Sequence, residues 1–259
     1  MKANMKTLLV ALAGLSSFAV AGAAFADCVD GNLSAWSAPT FGGGDSAVHV
    51  VAGGYDSSAC KMAVNLGDNG TAHGQVRDDS PNNETRYRAQ FIFDPVNLNG
   101  ANGTNQSIIF LANSNAFYKN RLALVKMLYS GSGGGTKRVF IIGACDNDAS
   151  QNQCQTAVNL PNQTGPNRIE IDLTVGANGV GALRYWVNDA ATTGLLDASG
   201  ISIPITGGNA GWVGVKTVFM GMSTPTLNFR SAVAGNGQNV DKVVFFDQFD
   251  SRRQTFIGH

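Results

Sequence analysis

Strict alternation of apolar and polar positions is the strongest regularity in this 259-residue chain. Over residues 168–175, Ile169, Ile171, Leu173 and Val175 alternate with Arg168, Glu170, Asp172 and Thr174 without exception. A period of two places the first set on one face of a strand and the second on the other. Residues 86–93 behave the same way, with Tyr87, Ala89, Phe91 and Phe93 on one face and Arg86, Arg88 and Gln90 on the other, until Asp94-Pro95 ends the run. Further strands are predicted over residues 48–51, 60–66, 107–112, 122–129, 137–142, 182–188, 212–220 and 243–249. In the last of these Val243, Phe245 and Phe249 fall on one face and Val244 and Phe246 on the other, the pattern of a strand buried on both sides. No window holds a helical stripe. Gly- and Asn-rich connections, such as Gly42-Gly43-Gly44 and residues 131–135, 176–181 and 235–239, punctuate the strands. The expected architecture is all-β, a two-sheet antiparallel β-sandwich. No linker marks a second domain, so residues 27–259 are expected to form one.

The first 26 residues stand apart from this pattern. Lys2 and Lys6 precede an apolar stretch over residues 8–20, and Ala24-Phe25-Ala26 lies just before Asp27, the layout of a secretory signal peptide. The stretch is too short and too rich in Gly and Ala to remain as a membrane anchor. Asp27 sits where a lipoprotein signal needs a small residue before Cys28. A soluble mature chain, secreted or periplasmic and not inserted in the membrane after cleavage, is therefore expected.

Loss of Lys2 and Lys6 reduces the 18 basic residues to 16 against 18 acidic ones, a net charge of −2. No basic field remains to attract nucleic acid. Cys28, Cys60, Cys145 and Cys154 form an even set, which in an oxidising compartment favours disulfides. Three pairings are open. Cys145 and Cys154 bracket a polar loop whose order calls for tied ends, which selects Cys145–Cys154 and leaves Cys28–Cys60. Zinc is excluded as a ligand of these cysteines, since no Cys-x-x-Cys pair occurs and His49, His73 and His259 are isolated from them and from one another.

Two segments carry a family resemblance: Glu84-Thr85-Arg86-Tyr87-Arg88-Ala89-Gln90-Phe91-Ile92-Phe93-Asp94-Pro95, preceded by Val76-Arg77-Asp78-Asp79-Ser80-Pro81, and the closing Phe245-Phe246-Asp247-Gln248-Phe249-Asp250-Ser251-Arg252-Arg253. Together with the strands between them, these resemble secreted bacterial proteins of the concanavalin A-like lectin/glucanase superfamily, with laminin-G-like jelly rolls. The resemblance spans most of the mature chain and implies a concanavalin A-like jelly roll. It reports a fold more than an activity, because members include sugar-binding lectins, adhesion modules and polysaccharide-cleaving enzymes.

The nearest approach to a catalytic motif is Glu170-Ile171-Asp172. Laminarinase-type hydrolases of this superfamily carry a nucleophile, a helper Asp and a general acid on alternate residues of one strand, and retaining hydrolysis needs two carboxyls about 5 Å apart. Thr174 and Val175 stand where the acid belongs, so no group would protonate the leaving oxygen. Glu170 and Asp172 are then the polar, exposed face of a half-buried strand, and no catalytic residue is assigned. The loop over residues 131–138 lacks the Gly-Lys-Ser/Thr order and following helix of a phosphate loop. Residues 221–225 lack the second Gly of a nucleophile elbow.

Tyr185 and Trp186 lie on opposite faces of one predicted strand; burial is the default for each, and the outward one is the candidate platform for a sugar ring, with Arg184 and Asn188 as polar neighbours. Asp146 and Asp148 offer alternate oxygen ligands in the loop before Cys154, though without the Gly and the distal Glu of a calcium loop. Related jelly rolls hold a structural calcium near paired terminal strands, which makes Asp247 and Asp250 a second candidate. Apart from such a calcium no cofactor is expected. The leading functional expectation is a non-catalytic module binding a glycan or another cell-surface ligand. The alternatives are a polysaccharide hydrolase or lyase on the same fold, and a purely structural envelope or matrix protein.

Overall fold

The computed structural model describes residues 28–42, 48–65, 73–95, 104–114, 121–130, 136–144, 153–175, 180–188, 201–206, 214–223, 243–252 and 257. Fourteen strands are seen among them. They are β1 (Ala38–Gly42), β2 (Val48–Ala52), β3 (Cys60–Asn65), β4 (His73–Asp78), β5 (Arg86–Asp94), β6 (Thr104–Asn113), β7 (Arg121–Ser130), β8 (Thr136–Ala144), β9 (Gln153–Asn159), β10 (Asn167–Thr174), β11 (Val180–Val187), β12 (Ile201–Thr206), β13 (Thr217–Ser223) and β14 (Val243–Arg252). They form two antiparallel seven-stranded sheets, ordered β1-β4-β13-β6-β7-β8-β9 and β12-β11-β10-β5-β14-β3-β2. This is the β-sandwich expected from the alternation.

The apolar set of each alternating strand meets its counterpart from the other sheet. Tyr87, Phe91 and Phe93 of β5 and Ile169, Ile171 and Leu173 of β10 face Phe110 of β6, Val125 of β7 and Met220 of β13 in one buried core. Phe91 lies 5.5 Å from Phe110 across the sheets, and Phe93 lies 5.2 Å from Phe246 of β14. Burying each such ring contributes roughly 1.5–3 kcal/mol. Tight approach is needed at Gly221, whose φ is +137° and where a Cβ would stand 2.3 Å from the carbonyl oxygen of Gly74.

β14 departs from the predicted pattern. Asp247 pairs with Ile92 but Asp250 pairs with Gln90, so one extra residue sits in β14 opposite β5, a β-bulge. Gln248, with φ +49°, lies in it. Phe245 and Phe249 therefore do not share a face: Lys61 lies over Phe245, while Phe249 packs against the core and onto Trp36. The predicted strand over residues 212–220 begins later, at Thr217, and Trp212 lies outside the described residues.

A disulfide joins Cys28 to Cys60, as expected. Residues 1–27, the loop holding Asp146 and Asp148, and the expected Cys145–Cys154 pairing lie outside the described residues.

Candidate functional site

The polar sets of β5 and β10 define the second sheet's outer face, and the register aligns them in cross-strand rows. Gln90 lies between Asp250 of β14 and Glu170 of β10, and Glu170 is opposite Trp186 of β11. In the next row Arg252, Arg88, Asp172, Arg184 and Ser202 follow one another across five strands. Directly opposed residues of an antiparallel pair point to the same side. Two arginines on one strand are thereby set against two carboxylates on its neighbour.

The centre of this face, at Arg88, Glu170 and Asp172, is enclosed, which the alternation did not disclose. Arg88 is 0% exposed, Glu170 2% and Asp172 3%, where an exposed polar face was expected. The physical reason is mutual neutralisation. Arg86 grips Asp172 with two hydrogen bonds, Nε to Oδ1 at 3.1 Å and Nη2 to Oδ2 at 2.9 Å. Arg88 Nη2 lies 3.3 Å from Asp172 Oδ2, and its Nε lies 3.9 Å from Glu170 Oε1. Glu170 Oε1 also accepts the backbone N–H of Ile257 at 3.0 Å, so residue 257 lies over the face. Buried charges survive when paired and hydrogen-bonded in this way. Gln90 Oε1, buried in the same row, has no hydrogen-bond partner.

Of the proposed sugar contacts, Trp186 is on this face, 4% exposed, with the Arg88 guanidinium 5.2 Å above its ring, a cation–π contact. Its ring is thus already stacked from within the protein. Tyr185 points the other way and belongs to the core. Arg184 is half-buried on the polar face. Asn188 closes the end of β11 instead: its φ is +54°, its Oδ1 accepts the Arg168 N–H at 2.6 Å and its Nδ2 donates to Asn167 Oδ1 at 3.0 Å.

A second polar group lies where β3, β5 and β14 meet the loop before β3. Tyr55 donates its phenolic proton to Asp94, and Lys61 Nζ approaches the Tyr55 oxygen at 3.4 Å. Burial first, and then the bond to Asp94 and the charges of Asp94 and Asp247, push the Tyr55 phenol well above its ordinary pKa. Asp247 accepts from Tyr55 N at 2.6 Å, Gln248 N at 2.7 Å and Ser58 Oγ at 3.1 Å. Burial nevertheless holds its pKa above 3.8. Asp56 of the same loop pairs with Arg168 of β10. Residues 55, 56 and 58 were missed by sequence reasoning, since a short polar loop carries no periodic signal. Asp250 lies in the Gln90 row, across the bulge from Asp247. Among the described residues no three metal-binding side chains converge.

At one open end of the sandwich, between β2, β3 and β14 on one side and β4 and β13 on the other, lies a cavity of about 540 Å³. Residues 32–36 wall it, and Trp36 and Phe249 meet there with ring centres 4.7 Å apart.

No sequence-family model matches the chain, and no curated protein matches it in sequence. Solved structures do match in fold. An endo-β-1,4-glucuronan lyase from the fungus Trichoderma reesei superposes with a TM-score of 0.54 at 10% identity, covering 87% of this chain and 94% of that one. The alginate lyase A1-II′, a member of polysaccharide lyase family 7, gives 0.48 at 8% identity over 83% and 86% of the two chains. The cellulose-induced protein Cip1 gives 0.45 at 13% over 91% of each. By its likeness to the glucuronan lyase, the chain has a jelly-roll fold of the kind that polysaccharide lyases use.

Proposed function

We propose that this protein is a polysaccharide-binding jelly roll acting outside the cytoplasm, and that its glycan lies along the polar face of the second sheet. The observation that carries the reading is the ordered network of Arg86, Arg88, Glu170 and Asp172 on that face. Such a network is costly to bury in a sheet that needs only stability. Asp172 fixes Arg86 through the Nε–Nη2 edge of its guanidinium and lies opposite Arg184, leaving two half-exposed arginines held in place to meet sugar hydroxyls or carboxylates. The Cys28–Cys60 disulfide supports an oxidising compartment.

Binding is favoured over cleavage by the state of the titratable groups. Glu170 and Asp172 are buried against guanidinium groups, out of reach of the leaving-group oxygen that a glycosidase acid must touch. On the described part of the face, the imidazole of His49 and the phenol of Tyr55 each engage a carboxylate, Asp30 and Asp94. A phenol locked as a proton donor is a poor base for β-elimination.

The test is affinity electrophoresis of the mature protein through gels containing glucuronan, alginate or hydroxyethylcellulose. Retardation by at least one polymer is expected, weakened in Arg184→Ala. Absence of retardation in all three overturns the reading. Appearance of the unsaturated-uronate absorbance during incubation would replace it with the lyase alternative.

A further inference from the structure

We propose that the cavity at the end of the sandwich is a second glycan site, which takes the terminal ring of a neutral oligosaccharide. This rests on the reading of the chain as a glycan-binding protein, but uses different residues from the polar face.

The cavity's size falls within the range of small-molecule sites, about 300–1,000 Å³. Its lining includes two aromatic rings, Trp36 and Phe249, both half-buried and tilted by 46° to one another. Two inclined rings offer faces to the C–H groups of a pyranose while its hydroxyls point to the rim. The rim carries the matching acceptors. Among the described residues, Asp78 accepts hydrogen bonds from Ser80 N, at 2.8 Å, and Ser80 Oγ, at 3.0 Å. A carboxylate has about four lone-pair sites, so Asp78 can still accept from sugar hydroxyls.

Charge decides between neutral and acidic sugars. Among the described residues that line the cavity, Asp78 and Asp247 stand against one cation, Lys61. The Lys61 ammonium is already placed over the rings of Tyr55 and Phe245, 4.6 and 4.2 Å from their centres. A uronate carboxylate would enter beside two like charges, whereas a neutral ring meets only acceptors.

Local structure holds the site open in this form. The bulge at Gln248 turns Phe249 inward to meet Trp36. Trp36 itself belongs to a segment fixed at one end by the Cys28–Cys60 disulfide and at the other by the Ser37 N–H to Arg77 carbonyl bond at 2.8 Å. The wall is thus pre-organised, which limits the entropy lost on binding.

The experiment titrates the disulfide-bonded mature protein with cellotetraose, mannotetraose and triglucuronate, by calorimetry and tryptophan fluorescence. A neutral tetrasaccharide should bind one to one and perturb the fluorescence, while triglucuronate should bind this site at least tenfold more weakly. Trp36→Ala should weaken binding of the neutral tetrasaccharide by roughly tenfold or more, the equivalent of losing one aromatic face. Asn32→Trp, a change at an exposed position on the mouth, should block it while keeping the Trp36–Phe249 contact. If the polymer gels retard the protein but neither variant alters tetrasaccharide affinity, the cavity assignment is overturned and the polar-face reading stands. Loss of triglucuronate binding in Asn32→Trp, to the same extent as loss of the neutral tetrasaccharide, also overturns it. No binding of any glycan in either assay removes both.

Discussion

Arg88 shows how one side chain can decide whether a polar face is solvated or enclosed. It touches Glu170, Asp172 and the Trp186 ring, and its removal leaves two carboxylates buried with less compensation. Arg88→Ala is expected to cost roughly 3–5 kcal/mol, read by urea denaturation. Glu170→Gln keeps an acceptor for the Ile257 N–H and leaves Arg88 its contact with Asp172. It should cost only about 1–3 kcal/mol. Beside the edge strand β2, the hydrogen bond and charge of His49 hold the exposed Asp30 carboxyl below its ordinary value of 3.8. A depressed folded-state pKa contributes stability above pH 3.8 that is lost as pH falls through the folded value. In His49→Ala, a carboxyl titration followed by NMR should therefore move Asp30 upward, and the acid-side loss of stability due to this pair should disappear.

At the level of elements, ten strands were legible from alternation or apolar runs, and β1, β4, β9 and β12 were not. β5 and β10 announce themselves through residues 86–93 and 168–175. β4, with Gly74 and Gln75 buried beside Val76, and β9, with its polar sequence, have no period to read. Alternation also leaves open what the polar set faces. Arg86 and Arg88 on one strand complement Glu170 and Asp172 on another, but only the register makes them neighbours. The bulge in β14 is silent for a related reason, because Gln248 takes a positive φ without being glycine. Its presence transfers Phe249 to the core side and creates the contact with Trp36. Gly221 gives an element-scale prediction. In Gly221→Ala the new methyl would meet the Gly74 carbonyl and, at 2.6 Å, Gln75 Cα, so β13 must move away from β4. A loss of about 2–4 kcal/mol is expected from strain and overpacking, measured by thermal unfolding. Deleting residues 245–259 removes the strand between β5 and β3 and should abolish cooperative unfolding, since both neighbours would be left with unpaired edges.

Across the whole molecule, the Cys28–Cys60 bond links the segment before β1, in the first sheet, to β3, in the second. It closes a loop with a sequence separation of 32, for which chain entropy predicts about 3–4 kcal/mol. The double variant Cys28→Ser/Cys60→Ser should lose stability on that scale by chemical denaturation. The placement of β14 has a further consequence, in time rather than in space. Its partners β3 and β5 lie far earlier in the chain, yet it stands between them. As synthesis proceeds, neither neighbour can complete its hydrogen bonds on that side, and Phe91 and Phe93 lack Phe246. Contacts of such long sequence separation fold slowly. The emerging polypeptide therefore stays loose until residues 243–252 arrive, and a strand made after both of its partners is the one that locks the sheet.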